Sequence, residues 1–133
     1  SLKKNISVLK DEFDILDNPM DKYQYLIDMA KDSSATDSIR TEENLIKGCV
    51  SQAWMKVDFL NNGIKLVTDS DALIVKGMLS ILEKITKGIN NNEINKIDGS
   101  QILNDLGLGY SISSQRTNGF IGAVSKLKGL LNK

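Results

Sequence analysis

The one strong nucleophile that needs no partner base in these 133 residues is Cys49, the chain's single cysteine. It stands in the run Asn44-Leu45-Ile46-Lys47-Gly48-Cys49-Val50-Ser51-Gln52-Ala53-Trp54. The chain has no histidine, which excludes a Cys-His hydrolase. A lone cysteine closes no intramolecular disulfide and completes no zinc site. Gly48 before it makes φ > 0 available, so the pair predicts a tight turn carrying the thiol at the tip of a loop. Two readings of Cys49 then stand: a thiol that acts by itself, or a small apolar residue that fills space, as free cysteines often do.

The elements around Cys49 follow from periodicity. Ile6, Leu9, Phe13 and Leu16 recur at helical spacing over residues 3–16. Asp17-Asn18-Pro19 stops that helix and starts another, with Asn18 as N-cap and Pro19 in the first turn. The second helix runs to about Lys31 and buries Tyr23, Leu26, Ile27 and Ala30; residues 32–38 read as an exposed polar loop. Leu45–Gly48 is a candidate short strand. Residues 52–59 alternate, with Ala53, Met55, Val57 and Phe59 on one face and Gln52, Trp54, Lys56 and Asp58 on the other. Asn61-Asn62-Gly63 is a hairpin turn, and Ile64–Thr68 returns as the partner strand. Asp69-Ser70-Asp71 reads as the cap of a strongly apolar helix over residues 71–87, stopped by Gly88. Short helical turns are predicted around Glu93–Lys96 and after Ser100, the latter ending at Gly107. Ser113 or Ser114 caps a last helix that buries Phe120, Val124, Leu127 and Leu131. The expected fold class is α/β (α+β), a two-layer sandwich in which helices cover a small antiparallel three-stranded sheet.

Composition bounds the function. The length suits a single domain over residues 1–133 with a real core. Seventeen basic and seventeen acidic side chains cancel, which points to neither a nucleic-acid nor an anionic-membrane partner. The cancellation is uneven, because residues 1–44 hold six basic and ten acidic groups. No apolar run reaches the ~18 residues of a membrane span, and no signal-peptide pattern opens the chain. With one unpaired cysteine, the expected location is the cytoplasm.

Three motifs in order resemble the SufE family. Gly48-Cys49-Val50-Ser51-Gln52-Ala53-Trp54 is similar to its G-C-x-S-x-x-W signature. Asp69-Ser70-Asp71-Ala72 with Ile74-Val75-Lys76-Gly77 resembles its S-D-A-x-I-V-K-G segment. Ser113/Ser114, Arg116, Asn118 and Gly119 resemble its S-x-x-R-x-N-G opening of the last helix. Tyr23 and Tyr25-Leu26-Ile27 match its early aromatic helix, and the order holds over roughly residues 20–128. The resemblance implies an α/β sandwich shared with IscU scaffolds and a sulfur-transfer role. Such proteins accept persulfide sulfur from a pyridoxal-phosphate-dependent cysteine desulfurase (SufS, or CsdA for the CsdE paralogue). They pass it to an Fe–S cluster assembly scaffold of the SUF system, of SufB type, and hold no cofactor themselves. The departures are Val50, where Gln is common, Ala53, where Val is usual, and residues 32–38 in place of a Pro-rich linker.

Thiol chemistry fits that role. A thiolate attacks the outer sulfur of a donor persulfide and later yields it to another thiol, for which one cysteine suffices. A cluster scaffold needs several ligands, so a carrier and desulfurase activator is expected rather than a scaffold or a free-standing enzyme. Cys49 matches the family's acceptor cysteine. Arg116 and Asn118 are expected near Cys49, holding its loop or favouring the thiolate with the N-terminus of the last helix. Gly48, Ser51 and Gln52 complete the loop. Asp71 reads first as a cap, in a motif where family members meet the desulfurase. Trp54 packs under the N-terminal helices or backs the cysteine loop, and Lys47 and Lys76 read as solvated. Three other readings compete: a CsdE-like acceptor for a paralogous desulfurase, a binding module with an inert thiol, and an intermolecular redox sensor.

Overall fold

The computed structural model describes residues 1–33 and 37–132. The segment 34–36 of the expected polar loop lies outside them; Asp37–Ile39, at its end, forms a 3-10 turn. Helix α1 (Leu2–Asp14) is capped by the Ser1 hydroxyl, and α2 (Pro19–Lys31) by Asn18, whose side chain accepts from the Asp21 N–H. The hairpin is β1 (Ala53–Leu60) and β2 (Gly63–Ser70), followed by α3 (Leu73–Ile85), α4 (Asn91–Ile94), α5 (Gly99–Asp105) and α6 (Ser114–Leu131).

The third strand is not formed. Among the described residues the sheet has two antiparallel strands, and Leu45 touches it through one isolated bridge to Trp54. Two hydrogen bonds hold that bridge, Ile46 N–H to the Ala53 carbonyl and Met55 N–H to the Asn44 carbonyl, both 2.8 Å. Gly48, at φ 87°, then turns the chain away before pairing can propagate. The expected alternation on β1 is also broken. Trp54, on the polar face by period, is buried, whereas Phe59 is 66% exposed toward the hairpin tip.

Helix α3 is the hub, packed against α1, α2, β2 and α6. Its apolar stripe, including Ile74, Met78, Ile81, Leu82 and Ile85, is buried. The α2–α3 crossing is closest at Gly77, where a Cβ would stand 2.1 Å from the Leu26 carbonyl oxygen, so the two backbones meet through a position that only glycine can fill. Tyr25 ties α2 to α1. Its ring meets Phe13 edge-on at 5.0 Å and its hydroxyl donates to Glu12 at 2.6 Å. Burial, aided by that bond, pushes its pKa up to about 12.

Lys76 is not solvated. It is 3% exposed, and its ammonium donates to Glu83 at 2.6 Å and to the Thr68 carbonyl and hydroxyl oxygens at 2.8 and 2.9 Å. All three donors of the ammonium are therefore used. The Thr68 hydroxyl and N–H in turn donate to Glu83. The expected cap at Asp69-Ser70-Asp71 also differs. Asp69 and Ser70 remain in β2, Ala72 is the N-cap, and its N–H donates to the Ser70 hydroxyl at 3.2 Å. Asp69 instead pairs with Arg40 at 2.8 Å, and the guanidinium lies 4.8 Å over Trp54. Trp54 is thus covered by the segment after α2. Asp98 rather than Ser100 caps α5, while Ser113 caps α6 as expected.

Gly77→Ala is expected to cost about 3 kcal/mol through overpacking. Gly129→Ala, in α6 with nothing within 4 Å of the added carbon, should gain roughly 0.5–1 kcal/mol. Urea midpoints of the two variants test this; equal shifts would contradict the close crossing.

Candidate functional site

Three segments meet around Cys49. The loop contributes Cys49, Val50 and Ser51; α3 contributes Val75, Met78 and Leu79; α6 and its cap contribute Ser113, Gln115, Arg116, Gly119 and Phe120. Together they line a cavity of about 200 Å³. Each helix uses positions three and four apart, Val75–Met78–Leu79 and Arg116–Gly119–Phe120, which share one face. Asn118 sits about 200° around α6 from Arg116; it is exposed and takes no part in the lining.

Gly119 makes the close approach possible. The Cys49 thiol points at its carbonyl oxygen, 4.0 Å away, and a Cβ on Gly119 would lie 3.2 Å from the sulfur. Cys49 is half-buried. Burial pushes its pKa above the ordinary thiol range, and that is the only cause acting. Arg116 lines the cavity, half-buried, and its backbone N–H donates to the Ser113 hydroxyl.

The remaining loop residues act through the backbone. Gly48 is exposed and in the left-handed region. Ser51 is half-buried at the cavity, and Gln52 is exposed, but its carbonyl accepts from the Ser70 hydroxyl at 2.7 Å and the Asp71 N–H at 3.2 Å. These bonds close the loop onto the β2–α3 junction and set Asp71, exposed, beside it. Val50 is 78% exposed, so the residue after Cys49 faces outward while the thiol faces inward. Of the apolar wall, Met78, Leu79 and Phe120 are at once buried core residues and cavity lining, and helical spacing does not distinguish a core face from a cavity face.

Among the described residues no group of three or more Cys, Asp or Glu side chains is placed to hold a metal ion. None of their helices is long and apolar enough to cross a membrane. The lining combines the Cys49 thiol, an apolar wall, Arg116, and the polar Ser51, Ser113 and Gln115.

Residues 7–131 match the family model of SufE, described as an Fe-S metabolism associated domain. The chain belongs to the SufE family. An uncharacterized SufE-like protein of Rhizobium meliloti is 33% identical over 123 residues, covering 89% of this chain and 88% of the relative. The cysteine desulfuration protein SufE of Wigglesworthia glossinidia brevipalpis is 31% identical, over 92% of this chain and 85% of that protein. The fold is also similar to the solution structure of a hypothetical protein from Thermus thermophilus. That match has a TM-score of 0.75 at 16% identity, over 98% of this chain and 93% of the other. The mixed helix-and-hairpin architecture expected from the SufE resemblance is thus the one found, with two strands in place of three.

Because burial raises the Cys49 pKa, its alkylation by iodoacetamide should have a pH midpoint above that of a simple thiol. The matching stability contribution is full below the unfolded thiol pKa and is lost as pH rises through the folded one. Gly119→Ala should push the sulfur outward, lowering that midpoint and raising the rate at pH 7.5 by about fivefold. A midpoint at the simple-thiol value in the native protein would contradict the burial.

Proposed function

We propose that this SufE-family chain is a sulfur acceptor in iron–sulfur metabolism, and that Cys49 carries the sulfur. The observation behind this is the placement of the chain's single thiol on a loop over a cavity walled by Val75, Met78, Leu79 and Phe120. Such a wall would shield a labile persulfide from water and small thiols. The donor is a cysteine desulfurase of SufS or CsdA type, which supplies its own pyridoxal phosphate, and the receiver is an iron–sulfur scaffold of SufB type. A single unpaired thiol suits the reducing cytoplasm as the place of work.

In the first step the Cys49 thiolate attacks the outer sulfur of the desulfurase persulfide. A new S–S bond forms on Cys49, the donor's S–S bond breaks, and the donor cysteine leaves as a thiolate. No oxidant is consumed. The second step repeats this with an acceptor thiolate attacking the outer sulfur on Cys49. Burial raises the pKa of the free thiol, and in this reading docking draws Cys49 outward, toward the desulfurase. Exposed Val50 and Asp71 lie where that partner would meet the loop. Arg116, at the cavity, then serves as the cation for the thiolate or persulfide anion.

Intact mass after incubation with an active desulfurase and L-cysteine tests the assignment. A gain of roughly 32 Da, reversed by reductant and absent from Cys49→Ser, is expected. Arg116→Ala should slow loading about tenfold, the size of a lost charge-assisted hydrogen bond. Unchanged loading would remove Arg116 from the mechanism, and no adduct on the native protein would remove the carrier role.

A further inference from the structure

The end of α3 remote from Cys49 floors a second, larger feature, a groove of about 610 Å³ alongside β2. Leu60, Ile64 and Leu66 form its hairpin side, and Met29, at the end of α2, lies opposite. We infer that this groove takes an extended acidic segment of a partner protein, paired as an added strand on the open edge of β2.

Backbone direction carries the first part of the argument. Thr68 faces Met55 in the register, yet its N–H goes to Glu83 and its carbonyl to Lys76. Met55 likewise sends its N–H to Asn44, away from β2. Thr68 and Met55 are therefore a non-hydrogen-bonded pair, with main-chain groups directed to the outer edges. By the two-residue period, Ile64 and Leu66 also direct their N–H and carbonyl groups outward from β2. At Thr68 that edge is closed, because the Lys76 ammonium and Glu83 carboxylate occupy the donor and acceptor places of a neighbouring strand. At Ile64 and Leu66, each 6% exposed, it borders the groove, and among the described residues no neighbouring strand pairs with it. An open edge of this kind is a template for strand addition.

Charge selects the occupant. Lys65, Lys84 and Lys87 rim the groove; of the two carboxylates that line it, Glu83 is neutralised by Lys76, which leaves Asp32 to oppose them. An acidic strand gains from this rim in encounter and in register. A second copy of the chain would bring the same lysines to the edge and be repelled. The groove shares no lining residue with the Cys49 cavity, so the inference stands apart from the sulfur-acceptor reading.

An alternating Glu-Val heptapeptide, titrated into the ¹⁵N-labelled full chain, is the test, with a Lys-Val heptapeptide as charge control. Binding of the acidic peptide should slow amide exchange at Ile64 and Leu66 at least about tenfold, with Val57 and Phe59 on the β1 edge unchanged. Lys84→Glu with Lys87→Glu, whose spectrum reports folding independently, should weaken binding about tenfold. A Glu-Val peptide N-methylated at every residue, which offers no N–H along either edge, should not bind. No protection at Ile64 and Leu66 at millimolar peptide, equal binding of the Lys-Val or N-methylated peptide, or protection arising from dimerisation without peptide would each overturn the proposal.

Discussion

The structure depends on how a nearly water-free ammonium is satisfied. Lys76 lies on the buried face of α3, and an isolated cation there would cost far more than a small domain's net stability. It persists because three oxygens surround it, two from Thr68 and one from Glu83. That cluster does more than neutralise a charge. It bonds both main-chain groups of Thr68, so α3 is fixed to β2 at one level and in one rotation. A buried ion pair of this kind contributes little net stability over an apolar substitute, and its effect is on geometry.

Gly77, the next residue and about 100° further around the helix, fixes a second side. With no Cβ it lets α3 approach the Leu26 carbonyl of α2, so consecutive residues pin the helix to the hairpin and to α2. The rest of α3 is then placed. Its first turns carry Val75, Met78 and Leu79 to the cysteine loop, and its last turns floor the groove beside β2. Gly119 repeats the device at the site, where a missing side chain on α6 leaves room for the Cys49 sulfur.

The resulting thiol is half-buried over the cavity. Burial raises its pKa, and the neighbouring loop bonds, from Ser70 and Asp71 to the Gln52 carbonyl, attach the loop to the β2–α3 junction. Val50 in the loop and Asp71 beside it face outward, as do Gly48 and Gln52.

Much was legible in the sequence because local physics decides it. Helical spacing marked α1, α2, α3 and α6. Asn18 and Ser113 cap their helices through side-chain bonds that need only neighbouring residues. Glycines 48, 88 and 107 have the positive φ of turn and helix-stop positions. The motif around Cys49, with two others in order, pointed to the SufE family, and the match over residues 7–131 agrees. What the tertiary structure alone decided involved partners distant in the chain. Lys76 looked like a surface charge because Thr68 and Glu83 are brought to it only when β2 packs on α3. Asp69 looked like a cap, but Arg40, 29 residues away, takes it as an ion pair. Leu45 had strand character, yet pairing stops after one bridge once Gly48 turns the loop toward α6. Arg116 and Asn118 shared a motif, but helical geometry set only Arg116 at the cavity. Spacing along the chain names a residue's face; what lies opposite that face is a property of the packed molecule.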